Sequence, residues 1–325
     1  MKQTDKQFWI WAIGVSLLSL ISCGDQIDPK SKGYYENIKG IYFSPENNWF
    51  ELGMNYINGV DAETFTVLDY SFAKDKNHVY IGANILKGAD ATSFYVDASG
   101  LPKDKLHVFV YDPEISKYRP ARCRIDMKSA EMPFQKNNGQ DWIWLRDKDN
   151  IYLREKRLNV DRNTFRSFGD WYIDKDKIYF VVWNSEAKTE ELLTVDSIQT
   201  PIDTIPNSYY LRNGRNMIYL TKVILQNIDI TTVRRLGIFD CIVNDMLLID
   251  GKVSLKDTVD INTLQVVEEG VYYKDRNHVY YDDNILEGID ATSFRQTGDF
   301  SYEDKNGRYE IDHAARGVNR LKKVR

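Results

Sequence analysis

Aspartates recur through this 325-residue chain at spacings that a repeated binding site would produce. Those in one register are separated by 29, 36, 35, 35, 33, 31 and 30 residues, and each follows an apolar residue. They are Asp61, Asp90, Asp126, Asp161, Asp196, Asp229, Asp260 and Asp290. Such carboxylates could form a ring of ligand-binding groups, or each could cap a turn by accepting the N–H groups that follow it. A hydroxyl residue stands three positions later in seven of the eight copies. We therefore predict structural caps, each opening a single helical turn.

Histidines occupy another fixed position of the repeat. His78, His107 and His278 are each followed by valine and then by an aromatic residue. In a strand, the histidine and the aromatic residue lie on one face and the valine on the other. Packing therefore explains the triplet, and a stripe of metal or ligand contacts is the alternative. His313 stands alone near the end of the chain.

Acidic turns at residues 147–150 and 174–176 place carboxylates two positions apart, as calcium loops do. The glycine and terminal glutamate of an EF-hand do not follow, so we predict charged hairpin turns, with no metal and no cofactor. The sequence also contains no G-x-S-x-G, H-E-x-x-H, P-loop or Rossmann glycine pattern. We predict no catalytic residues and no enzymatic activity.

The elements that must position these side chains are β-hairpins. Residues 171–180 show the pattern, with aromatic and β-branched residues on both sides of a charged turn. About eight units of roughly 29–36 residues follow one another. Ordering about thirty residues costs on the order of 45 kcal/mol, so neighbouring units must share a core. The predicted fold is all-β, with tandem β-hairpin repeats stacked as an elongated solenoid-like array. A β-propeller is the alternative, although its blades usually have four strands and about 40 or more residues.

The two best copies of the hairpin turn are nearly identical. They read KDKNHVY at residues 74–80 and KDRNHVY at residues 274–280. At these residues the chain resembles the DKNYY family, and the resemblance covers roughly residues 40–312. It implies an exported bacterial repeat protein, and it implies no particular activity or catalytic residues.

Residues 1–22 have the pattern of a bacterial lipoprotein signal peptide. A basic start precedes an apolar run of about fourteen residues, too short to span a membrane comfortably. The run ends in the lipobox Leu20, Ile21 and Ser22, directly before Cys23. The resemblance to such signals implies that Cys23 becomes the first mature residue and carries diacylglycerol and an amide-linked acyl chain such as palmitate. An ordinary cleaved signal and an uncleaved anchor are the alternatives.

Beyond the cysteine, we predict a flexible tether at residues 23–39, the repeat array at residues 40–312 and a basic tail at residues 313–325. The length alone would suit two domains, but the repeat continues through the middle without a linker, which favours one array. The net charge of −5 argues against nucleic-acid binding, which needs a basic face. An aspartate directly after the lipidated cysteine would favour retention in the inner membrane. Because Gly24 stands there instead, we expect the outer membrane.

Two longer excursions, at residues 111–120 and 200–207, interrupt the repeats. Such insertions often carry binding sites in repeat proteins, and neutral loops are the alternative. Cys123 and Cys241 are 118 residues apart, and we expect two separate thiols. The predicted function is that of a lipid-anchored, non-enzymatic cell-envelope protein. It would offer a binding or scaffold surface to a protein or glycan partner, and an envelope-polymer hydrolase and a structural spacer are the alternatives.

Overall fold

The computed structural model describes residues 24–29, 32–136, 139–140, 143–254, 259–268, 271–281, 284–311 and 321–324. In these ranges the chain forms small antiparallel sheets, which confirms the predicted all-β fold of tandem hairpin repeats. The described helical elements are a 3₁₀ turn at Pro45–Asn47 and a four-residue helix, α1, at Trp49–Leu52. No helix long and apolar enough to cross a membrane occurs in the described part of the chain.

The chain divides into two compact units, residues 1–159 and residues 160–325. The boundary falls between Asn159 and Val160, one residue before Asp161, inside the repeat register rather than in a linker.

The first unit contains two four-stranded sheets followed by smaller ones. The four-stranded sheets are β1 (Asp25–Gln26), β2 (Tyr34–Asn37), β3 (Gly40–Phe43) and β4 (Asn55–Tyr56), then β5 (Thr66–Val67), β6 (Phe72–Lys74), β7 (Val79–Ile81) and β8 (Asn84–Ile85). The smaller sheets are β9 (Tyr95–Val96) with β10 (Pro102–Lys103), β11 (Phe109–Asp112) with β12 (Lys117–Pro120), β13 (Gln135–Lys136) with β14 (Gly139–Gln140), and β15 (Trp144–Arg146), β16 (Ile151–Leu153) and β17 (Lys156–Arg157).

In its described residues, the second unit forms five four-stranded sheets, each with its strands in sequence order. They are β18 (Arg166–Phe168), β19 (Trp171–Ile173), β20 (Lys177–Asn184) and β21 (Thr189–Ser197); β22 (Ile202–Thr204), β23 (Tyr210–Asn213), β24 (Asn216–Tyr219) and β25 (Lys222–Leu225); β26 (Val233–Arg235), β27 (Asp240–Val243), β28 (Met246–Ile249) and β29 (Lys252–Ser254); β30 (Gln265–Glu268), β31 (Tyr272–Lys274), β32 (Val279–Tyr281) and β33 (Asn284–Ile285); and β34 (Arg295–Gly298), β35 (Ser301–Asp304), β36 (Gly307–Ile311) and β37 (Leu321–Val324).

The complete repeat is therefore a four-stranded meander, although the sequence showed only its two central strands. In the β5–β8 sheet the central strands bury Phe72, Ala73, Val79 and Tyr80, which gives them an apolar signal. The outer strands have two residues each and are largely exposed, so no periodicity marks them. The structure thus adds a short outer strand on each side of the predicted hairpin.

The repeat array also extends beyond its predicted limits at both ends. In the predicted tether, Asp25 and Gln26 pair with β2, and Tyr34 of β2 is fully buried. In the predicted basic tail, residues 321–324 pair with β36 as its outer strand. Short polar strands at the edge of a sheet have no hydrophobic pattern of their own, which is why the sequence suggested loops there.

Neighbouring sheets share their cores, as the small size of one repeat requires. In the first unit, Phe72 and Val79 pack in one cluster with Phe94 and Phe109 of the following repeat. Each side chain of this kind contributes roughly 1.5–3 kcal/mol when it is fully buried. The two described cysteines are free, Cys123 half-buried and Cys241 buried, and they lie in different units.

Candidate functional site

The most strongly bonded polar group of the β5–β8 sheet is the carboxylate of Asp75, in the hairpin turn between β6 and β7. Oδ1 of Asp75 accepts the N–H groups of Asn77 and His78, both at 2.7 Å. Oδ2 accepts the Tyr80 hydroxyl at 2.7 Å and the N–H of Asp61 at 2.9 Å. Asp75 is 3% exposed. Its two oxygens are therefore occupied by four donors from this hairpin and from the turn that precedes the sheet.

The turn at Asp61 closes against the same hairpin. Oδ1 of Asp61 accepts the Thr64 N–H at 3.2 Å, and Oδ2 forms an ion pair with Lys76. The Thr64 hydroxyl oxygen accepts the Lys76 N–H at 3.1 Å. We call this arrangement of a turn aspartate, a hairpin aspartate and the groups that they bind the aspartate lock.

Six aspartate locks lie in the described residues. In each, the N–H of the turn aspartate donates to Oδ2 of the hairpin aspartate at 2.7–3.1 Å. The pairs are Asp61 with Asp75, Asp90 with Asp104, Asp126 with Asp147, Asp161 with Asp174, Asp260 with Asp275, and Asp290 with Asp304. Each turn aspartate also accepts an N–H from two or three residues ahead, as expected of a cap. The segment that it opens is a hydrogen-bonded turn and not a helix.

Asp196 departs from the predicted pattern, because it lies within β21 and not in a turn. Its Oδ2 accepts the side-chain amides of Asn213 and Asn216 at 2.9 and 3.1 Å. The cap prediction for Asp196 is corrected accordingly. In this repeat, Asn213 stands in place of the hairpin aspartate, and its side-chain amide donates to Asp196. Two ionised carboxylates could not form this bond, because neither has a proton to donate.

Asp229 departs from the prediction in a different way. The Asn244 side chain accepts the N–H groups of Thr231 and Thr232 at 2.9 and 3.2 Å. The same side chain donates to the main-chain carbonyl of Asp229 at 2.9 Å. An amide can accept and donate at once, so Asn244 caps this turn and Asp229 contributes its carbonyl oxygen.

The buried half of each lock was not predicted from the sequence. Asp147 and Asp174 were expected in charged turns, whereas each is at least 90% buried and accepts two backbone N–H groups with Oδ1. A usable signal was present, since a tyrosine follows five residues after most of the hairpin aspartates. Among the described residues, no three His, Cys, Asp or Glu side chains are placed to hold a metal ion.

The repeated histidines lie beside the locks. The rings of His78 and His278 lie 6.1 and 6.0 Å from the rings of Tyr80 and Tyr280. The main-chain N–H of each of these histidines also donates to Oδ1 of its hairpin aspartate, Asp75 or Asp275, at 2.7 Å. The histidine and the aromatic residue thus lie on one face of the strand, as the packing interpretation requires. His313, the lipobox and Cys23 lie outside the described residues.

Hydrogen bonds keep the Asp75 carboxylate charged. Burial raises the pKa of Asp75, but the donors from Asp61, Tyr80, Asn77 and His78 outweigh burial and hold this pKa at about 2. The stabilised ionised form accepts all four bonds.

The turn aspartates Asp90 and Asp290 are charged for a different reason. The ammonium group of Lys105 lies beside Asp90, and that of Lys305 lies beside Asp290. These cations, with a smaller contribution from serine hydroxyls, lower the pKa of both aspartates to about 2. Burial and the bond to Asp304 raise the pKa of Tyr309 to about 12, so this phenol stays a neutral donor at physiological pH.

The free energy of unfolding should fall as the pH drops from about 4 to 2. The pKa values of Asp75, Asp90 and Asp290 are depressed to about 2 from an ordinary 3.8. A depressed carboxylate stabilises the fold above its unfolded-state pKa, and this stabilisation is lost as the pH falls through the folded-state value. Urea denaturation followed by tryptophan fluorescence at each pH measures the loss. A constant free energy down to pH 2 would contradict the bonding described here.

Four side chains of the 74–80 motif thus have structural partners, those of Lys74, Asp75, Lys76 and Tyr80. Nζ of Lys74 donates to the carbonyl of Phe94 in the following repeat at 2.8 Å, and Lys274 bonds Phe294 in the same way at 2.7 Å. The model of the DKNYY family matches residues 34–140 and 144–313. This chain belongs to the DKNYY family. The match begins at Tyr34, where the first buried strand begins. No curated protein and no solved structure matches the chain significantly.

One DKNYY repeat lacks the phenol of its lock. Phe109 stands five residues after Asp104, where Tyr80 stands after Asp75, and it is fully buried. Phe109→Tyr should raise the free energy of unfolding by about 1 kcal/mol, because its hydroxyl would donate to an existing charged acceptor. Urea denaturation measures the change. Phe94→Tyr is the control, since Phe94 packs between Phe72 and Phe109, and a hydroxyl there should destabilise the protein. Equal losses in both variants would contradict the prediction.

The excursion at residues 111–120 forms the tip of the β11–β12 hairpin and borders a cleft. Nε of Arg119 lies 2.6 Å from Oδ2 of Asp112, and its Nη2 lies 2.7 Å from Oε2 of Glu155. These ion pairs hold the hairpin against the turn after β16. The other excursion, at residues 200–207, supplies β22 and a turn of its own sheet, so it is not an inserted loop.

The cleft has a volume of about 790 Å³ and lies between β8 and the β11–β12 hairpin, within the first unit. Its lining includes Ile85, Lys87, Tyr111, Ile115, Lys117 and Tyr118. Ile85 and Ile115 are 47% and 53% exposed. The ring of Tyr118 packs edge-on against Phe72 at 5.1 Å, which fixes one wall of the cleft to the core.

Proposed function

We propose that this DKNYY protein is a non-enzymatic, lipid-anchored protein of the bacterial cell envelope that offers a binding surface to a protein or glycan partner. The anchor is supported by the sequence, in which a lipobox directly precedes Cys23. Several acyl chains on one residue hold a protein stably at a membrane, whereas one chain binds only marginally. Gly24 after the cysteine favours the outer membrane.

The observation that carries the binding role is the cleft beside β8. Its volume of about 790 Å³ lies within the range of about 300–1,000 Å³ that is usual for ligand sites. Ile85 and Ile115 expose apolar surface at its border, and such surface is often functional. The lock carboxylates, in contrast, are occupied by donors of the chain itself.

The anchor can be tested by intact mass and detergent partitioning of the protein isolated from membranes. We expect the wild-type protein to begin at Cys23, to carry the mass of its acyl chains and to enter the detergent phase. Cys23→Ala should abolish the acylation and the partitioning. Cys123→Ala is the matched control and should leave both unchanged. A soluble, unacylated wild-type protein would overturn the anchor.

A further inference from the structure

Two edge strands border the cleft. In the described sheets, β8 pairs only with β7, and β12 pairs only with β11. An edge strand presents unpaired N–H and C=O groups to which another chain can add a strand. Residues of both strands line the cleft, among them Ile85 of β8 and Tyr118 of β12. A chain in the cleft would therefore meet main-chain groups as well as side chains.

The pairing of β12 shows which of its main-chain groups face away from β11. The Ala121 N–H donates to the Val108 carbonyl at 2.7 Å, so residues 108 and 121 form a hydrogen-bonded pair. In antiparallel strands, hydrogen-bonded pairs alternate with non-bonded ones, so Val110 with Arg119 is bonded and Tyr111 with Tyr118 is not. The N–H and C=O of Tyr118 therefore point outward, on the free edge of β12.

The charges of the lining favour an acidic ligand. Its charged residues are Lys87, Lys117 and Arg119, and the last is neutralised by Asp112 and Glu155. Lys87 and Lys117 are exposed and have no ion-pair partner among the residues that the structure describes. Since the whole chain has a net charge of −5, this border is a local positive site on an acidic protein.

The cleft offers both apolar side chains and lysines to an extended peptide. Apolar groups come from Ile85, Ile115 and the edge-to-face pair of Tyr111 and Tyr118, whose ring centroids are 5.5 Å apart. Successive residues of a strand point to opposite sides, so every second side chain can enter such a surface. The residues between them can then reach the lysines at its border.

We propose that the cleft binds an extended segment of a partner protein by strand addition at the Tyr118 edge of β12. The segment alternates apolar residues, which contact Ile85 and Ile115, with acidic residues, which pair with Lys87 and Lys117. This inference rests on the binding role proposed above and specifies its partner as an acidic, apolar-alternating peptide.

The test uses the full mature chain with Cys23 replaced by alanine, and a displayed library of random twelve-residue peptides. We expect the enriched peptides to alternate apolar and acidic residues. Lys87→Glu with Lys117→Glu should weaken their binding about tenfold or more, because attraction becomes repulsion at two contacts. Lys222→Glu with Lys252→Glu, at two exposed lysines of the second unit, is the matched control and should leave binding unchanged. N-methylation of alternate peptide amides should also abolish binding, since it removes main-chain donors.

The other outcomes overturn the inference in distinguishable ways. Peptides that bind the Lys87→Glu, Lys117→Glu protein as tightly as the wild type would show that the cleft is not their site. An array of neutral and acidic oligosaccharides is probed in parallel. Glycan binding that the lysine changes abolish, without any enriched peptide, would overturn strand addition and leave the proposed binding role standing. Binding of neither probe would overturn both. Unchanged urea midpoints would show that the variants are folded.

Discussion

Asp75→Ala is expected to lower the free energy of unfolding by about 3–5 kcal/mol, the largest loss for any single polar residue of its sheet. The change removes the common acceptor of two turn amides, the Asp61 N–H and the Tyr80 hydroxyl. The Tyr80 hydroxyl is buried and the three N–H groups are partly buried. A buried donor without an acceptor costs about 1–3 kcal/mol. Urea denaturation of the chain without its signal peptide measures the loss.

Asp149→Ala is the matched control for this prediction. Asp149 stands in the equivalent hairpin turn of a later repeat, but it is exposed. We expect a change within about 0.5 kcal/mol, as for most surface substitutions. Equal losses for the two variants would mean that removing any acid from these turns destabilises the protein, and that the lock has no special role.

Trp171→Ala is expected to cost about 3–5 kcal/mol and to loosen the neighbouring sheet as well. Trp171 is 1% exposed and packs in one cluster with Leu211 and Ile218 of the following repeat. Its Nε1–H donates to the carbonyl of Leu220 at 2.9 Å. Because repeats are stabilised largely by their neighbours, hydrogen exchange of the β24 amides should accelerate together with that of β19.

Trp183→Ala provides the control within the same sheet. Trp183 lies on β20, as part of the long β20–β21 hairpin, and is 57% exposed. Its removal should change the free energy of unfolding by about 0.5 kcal/mol or less. Exchange that accelerates in β19 alone after Trp171→Ala would contradict the coupling between the two repeats.

The fold was predictable where the pattern is local. The apolar residues on both sides of Asp75, which are buried in the folded sheet, mark β6 and β7, and the spacing of the aspartates indicates the repeat length. The outer strands were not predictable, because two-residue strands such as β5 and β8 are fixed by pairing with the central hairpin and not by their own composition. The repeats with asparagine at 213 and 244 obscured the register further.

The lock was half predictable for a similar reason. The bond from Thr64 to Asp61 spans three residues and is a familiar turn signal. The bond from Asp61 to Asp75 spans fourteen residues, and only the folded sheet brings the two together. The cleft depends on the packing of β8 beside the β11–β12 hairpin, so the sequence could indicate the excursion at residues 111–120 but not the cavity that it borders.

In the DKNYY motif, Asp75 binds the Tyr80 hydroxyl and the main-chain N–H groups of Asn77 and His78, and these bonds hold the repeat together. A double-mutant cycle on Asp75→Asn and Tyr80→Phe, by urea denaturation of the two single variants and the double variant, tests this role most directly. The buried bond of 2.7 Å between the Tyr80 hydroxyl and Oδ2 of Asp75 predicts a coupling free energy of about 1–3 kcal/mol. Additive effects, with a coupling within about 0.3 kcal/mol of zero, would contradict the account.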